Sequence, residues 1–74
     1  MTISEAAIGK RVVIKEIKNS PDVKERLRAM GITVGKVVTV ERVAPFGTPL
    51  EIKSGNFRLA IAEKEAKKVV VEYV

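Results

Sequence analysis

Neither histidine nor cysteine occurs anywhere in the 74 residues. That removes most nucleophile–base pairs and the usual protein ligands of zinc and iron. General acid–base chemistry would fall to carboxylates, lysines or the lone Tyr73. Glu16, Glu25, Glu41, Glu51, Glu63, Glu65 and Glu72 are scattered among Lys and Arg, the pattern of a solvated surface rather than of a carboxylate pair. Glu63 and Glu65 come nearest to a hard-cation site, and two carboxylates alone make a poor cage. Gly31-Ile32-Thr33-Val34-Gly35 carries two glycines, but no P-loop lysine and serine follow, so no phosphate cradle is expected. The sequence offers no catalytic, cofactor-binding or metal-binding residues, and it reads as a binding module rather than an enzyme.

The binding candidates are few. Phe46 lies between Pro45 and Gly47 in a loop that Pro49 closes, so a large apolar ring must either fold back to plug one end of the domain or meet a partner. The two prolines stiffen that loop and lower the entropy lost on binding. Lys24 and Arg28, with Arg26 nearby, form a basic stripe on an expected helix. It is either a plain solvated face or a patch that steers an acidic protein surface. Lys24, Arg26, Arg28, Pro45, Phe46 and Pro49 are therefore the candidate partner-binding residues. The net charge is +5, from 14 Lys and Arg against 9 Asp and Glu, which raises the question of nucleic acid or an anionic membrane. Glutamates interrupt nearly every basic cluster, however, and stacking on single strands needs aromatic platforms. Of the three aromatic residues, Phe57 alternates with Leu59 and Ile61 and is expected in the core, while Tyr73 is open to either reading.

These residues need a scaffold, and the chain has room for one domain over residues 1–74. A chain this short buries only roughly 60% of the surface its unfolded form exposes, so without disulfides a curled sheet must supply the core. A single turn is expected at Ser4–Ala7. Strands are expected from Lys10 to Ile17, from Lys36 to Val43, at Leu50–Lys53, from Phe57 to Ile61 and from Lys68 to Tyr73. In the second, Val38 and Val40 face one side. Asn19-Ser20-Pro21-Asp22 signals a helix start, with Ser20 as a side-chain N-cap, Pro21 at N1 and Asp22 at the positive end. The helix runs to Met30 and stops at Gly31, with Val23, Leu27 and Met30 as its apolar stripe and Asp22–Arg26 as an i, i+4 pair. Gly35 is placed for a turn, Gly55-Asn56 for a two-residue hairpin and Ala62–Ala66 for one tight helical turn. Five short strands and one helix favour a small mainly-β barrel. No stretch approaches the roughly 20 apolar residues that cross a bilayer, and the start lacks a secretory pattern. A cytoplasmic location is expected.

Taken in order, Gly9, Arg26-Leu27, Met30-Gly31-Ile32, Val34-Gly35, Ala44-Pro45-Phe46-Gly47-Thr48-Pro49-Leu50, Gly55, Leu59-Ala60 and Glu65-Ala66 resemble the FeoA family, ferrous iron transport protein A and its relatives. The resemblance spans nearly the whole chain. It implies an SH3-like β-barrel with an inserted helix, and an accessory role in ferrous-iron transport through contact with the FeoB-type membrane transporter and its cytoplasmic GTPase region. Two alternatives remain at this stage. One is a nucleic-acid-binding SH3-like barrel; the other is a metal-responsive regulatory domain like the C-terminal part of iron-dependent repressors.

Overall fold

A computed structural model describes residues 1–18 and 20–74. Asn19, the first residue of the expected helix-start signal, lies outside them. A 3₁₀ turn at Ile3–Glu5 precedes β1 (Arg11–Ile17), α1 (Pro21–Ala29), β2 (Val37–Val43), β3 (Leu50–Ser54), β4 (Phe57–Ile61), α2 (Glu63–Ala66) and β5 (Val69–Tyr73). The expected strands that open on Lys10, Lys36 and Lys68 each begin one residue later.

The strands form one antiparallel sheet in the order β4-β3-β2-β1-β5. Register shifts between Ile14 and Glu16 in β1 and between Val40 and Arg42 in β2. Such bulges bend and twist a strand, and here they help curl the sheet into a small SH3-like barrel. Every second residue then points inward. Val12, Ile14, Val38, Val40, Leu50, Ile52, Val69 and Val71 are buried, and Ile3, Leu27, Ile32 and Ile61 complete the core.

The helix stop forms as the sequence implies. The Ile32 amide donates to the Leu27 carbonyl at 2.8 Å and the Gly31 amide to that of Arg28 at 2.9 Å, with Gly31 at φ +81°. This is the Schellman pair, and its hydrophobic contact is supplied by Leu27 and Ile32, both buried. Gly35 also takes a positive φ, +92°. In the β3–β4 turn only Gly55 does so, at +60°, which fits a II′ turn and not a I′ turn.

Three expectations are corrected. Ser20 precedes α1, but its hydroxyl does not cap the helix; it accepts a hydrogen bond from Lys68 Nζ at 3.2 Å, across 48 positions of sequence. Arg26 pairs with Glu65 and not with Asp22. Phe57 is not in the core: it is 76% exposed. It sits on the last rung of the hairpin opposite Ser54, beyond the level at which the inward faces of β3 and β4 meet the core.

Candidate functional site

The four-residue helix α2 is the junction on which the candidate surfaces are hung. Glu65 reaches back so that Oε1 accepts the Ala62 amide at 2.9 Å, while Oε2 accepts a hydrogen bond from the Arg26 guanidinium on α1. Burial of this carboxyl disfavours its charge, but the Ala62 amide and Arg26 together outweigh that and hold it below the ordinary carboxylate value. Glu63 works on a different neighbour. Its amide donates to Thr48 Oγ1 at 3.1 Å in the Phe46 loop, and its carboxylate stands 3.6 Å from Lys67. α2 thus ties to α1 through the Glu65 carboxylate and to the Ala44–Pro49 loop through the Glu63 amide. Glu63 and Glu65 are accordingly fasteners, and among the described residues no group of three His, Cys, Asp or Glu side chains is arranged to hold a metal ion.

Phe46 stands out from the surface at 93% exposure, with Pro45 and Pro49 exposed beside it, so the ring does not plug the barrel. Lys24 and Arg28 are exposed and border a hollow of about 250 Å³ with Ile17, Ile32, Thr33 and Val34. The guanidinium of Arg26 is committed to Glu65. The six candidate residues therefore do not form one patch. They divide into a loop with an aromatic tip and a basic face of α1 that borders a separate hollow.

A third surface escaped the sequence reading. Phe57, half-buried Met30 and exposed Val37 meet at the hairpin end of β3. That end lies four strand residues from Leu50, about 13 Å at 3.3 Å per residue from the margin of the Phe46 loop. The available signal was Ser54, a polar residue on the inward face of β3, which marks where the core ends. Tyr73 is half exposed at the opposite edge, and its hydroxyl accepts the Ala7 amide at 2.9 Å.

A curled five-stranded antiparallel sheet with a helix inserted between β1 and β2 defines an SH3-like domain. The chain belongs to the FeoA domain family, whose model matches residues 1–73. That family is tied to iron uptake. Among solved structures, iron(II) transport protein A from Clostridium thermocellum superposes with a TM-score of 0.93 at 32% identity, over 100% of this chain and 46% of that one. The FeoA protein from Chlorobium tepidum gives 0.92 at 30% identity, over 100% and 70%. A crystal structure of an iron uptake regulatory protein, FeoA, gives 0.90 at 27% identity, over 100% and 97%. This chain thus spans less than half of the Clostridium thermocellum protein's length. No curated protein sequence matches it.

Proposed function

We propose that this chain is a non-catalytic accessory protein of ferrous-iron transport that acts in the cytoplasm by docking on the GTPase region of an FeoB-type membrane transporter. The observation that carries this reading is Phe46: a phenylalanine 93% exposed on a proline-bracketed loop, in a member of an iron-uptake family. A ring so exposed gives the fold almost nothing, whereas an aromatic anchor entering a partner's pocket is a common source of binding energy. Pro45 and Pro49 limit the loop's freedom before binding, so less entropy is lost on docking. Lys24 and Arg28 supply positive charge on the exposed face of α1, suited to steering an acidic partner surface.

The test is capture of the soluble GTPase region of the transporter by the immobilised chain. Phe46→Ala is expected to weaken capture at least about tenfold while leaving the thermal midpoint within a degree or two, because an exposed side chain contributes little to stability. Capture unchanged by Phe46→Ala in a folded variant would remove Phe46 from the interface. Failure of the unaltered chain to bind the GTPase region would remove the proposal.

A further inference from the structure

β4 is an end strand of the sheet, and its outer margin is unpaired among the described residues. Ser54 and Phe57 close the two-residue turn as a hydrogen-bonded pair, so bonding to β3 falls on Phe57, Leu59 and Ile61. The amides and carbonyls of Arg58 and Ala60 then point away from the sheet, and both residues are exposed. Beside this margin, between β4 and the end of α1, runs a groove of about 430 Å³ lined by Ala29, Met30, Gly31, Phe57 and Leu59 with Arg58 at its rim. An open edge with an apolar trench next to it is the arrangement used for strand addition, in which backbone bonds supply affinity and alternate side chains supply selection.

Charge on the outer face defines the occupant. Arg58 is directly opposite Lys53 in a non-hydrogen-bonded pair, where side chains come closest and like charges destabilise. Glu41 meets Arg58 at 2.8 Å, while Lys53 has no acid within ion-pair distance among the described residues. Arg58 thus has one carboxylate, and Lys53 opposite it has none. A strand added along β4 would place a side chain on this face beside Arg58, where an acid completes the balance. Its neighbours on either side would turn toward Phe57 and Leu59.

We infer that the β4 edge binds an extended acidic peptide segment in which carboxylates alternate with apolar residues. A second copy of the chain fits less well, since each copy carries +5 and would bring a second Arg58 to the same edge. This surface is at the other end of β3 from Phe46, so the two proposals stand or fall separately.

The probe is a fluorescein-labelled peptide alternating valine with glutamate, compared with the same peptide carrying lysine for glutamate. The glutamate peptide is expected to bind at least about tenfold more tightly, with the Arg58 and Ala60 amides gaining protection from hydrogen exchange. Arg58→Glu is expected to reverse the preference between the two peptides. Ala60→Pro, which removes an amide that points away from β3, is expected to abolish binding. If Ala60→Pro does not fold, the exchange data on the unaltered chain decide. Equal binding of both peptides, or no protection at Arg58 and Ala60 at saturation, overturns the inference. Protection of the same amides that rises with protein concentration in the absence of peptide overturns it in favour of a second copy.

Discussion

Glu65 has a side chain only 9% exposed, yet it carries a charge, because the Ala62 amide and Arg26 are positioned to receive it. The substitution Glu65→Ala removes a charge-assisted bond to α1 and the return bond that starts α2, and the expected loss is about 2 kcal/mol at neutral pH. The pH dependence follows from the lowered carboxyl value. In the unfolded chain Glu65 holds its proton more tightly than in the fold, so its stabilising contribution is complete above the unfolded value, about 4.5. It drains away as pH falls through the lower folded value. Urea unfolding at pH 7 and again near pH 3 should therefore show the gap between the native chain and Glu65→Ala narrowing in acid; a gap that is constant or widens would contradict the ion pair. Gly47 is a second informative position. It has φ +85°, and a Cβ there would stand 2.8 Å from Glu63 Oε2. Gly47→Ala combines left-handed strain of about 1–2 kcal/mol with displacement of the Glu63 carboxylate. A lower thermal midpoint is expected, and no change in the midpoint would show that the loop relaxes around the added methyl.

At the scale of elements, the alternating strands and the glycine stop of α1 were legible because each rests on local rules. Val38 and Val40, Leu50 and Ile52, and Leu27 on the apolar stripe of α1 declare their burial through spacing alone. What was not legible depends on partners distant in sequence. Nothing near Arg26 indicates that Glu65, 39 residues on, outcompetes Asp22, since i, i+4 rules see only one helix. Nor does anything near Ser20 point to Lys68. Phe57 follows the strand period correctly and is still exposed, because period sets the face of the sheet but not how far along it the core extends. The candidate site was half legible for the same reason: an aromatic between prolines stands out, whereas an open edge with a groove appears only once the strand order is known. The stop of α1 gives a prediction at this scale. Gly31→Ala must adopt φ near +81° with a side chain present, at a cost of about 1–2 kcal/mol, although nothing lies within 4 Å to collide with it. Gly31→Asn, which tolerates that region better, should recover part of the loss in thermal unfolding. Equal loss in both variants would mean that the cap does not govern this end of the helix.

The whole molecule is held by one buried cluster to which α1 and every strand contribute. Leu27 from α1, Ile32 after it, and Val12, Ile14, Val38, Val40, Ile52 and Val71 from the sheet are buried together. A domain of 74 residues at about 0.05–0.15 kcal/mol per residue has a total stability of about 4–11 kcal/mol. Burial of a leucine of this kind is worth about 2–5 kcal/mol in truncation experiments, a large share of that total. Besides Leu27, the links of α1 to the rest of the fold include Arg26–Glu65 and Ser20–Lys68, both near the surface. Two outcomes are therefore distinguishable for Leu27→Ala. If the cluster is a single cooperative unit, the helix and the sheet are lost together, and the midpoint falls by at least about 8 °C. If α1 is merely attached, it melts first and leaves the sheet standing. Far-UV circular dichroism follows the backbone, while Tyr73, whose hydroxyl is bonded to the Ala7 amide at the far edge of the sheet, reports on β5 by its fluorescence. The shared core predicts coincident transitions for the two signals. A helical signal lost well below the tyrosine transition would show instead that the barrel folds without its inserted helix.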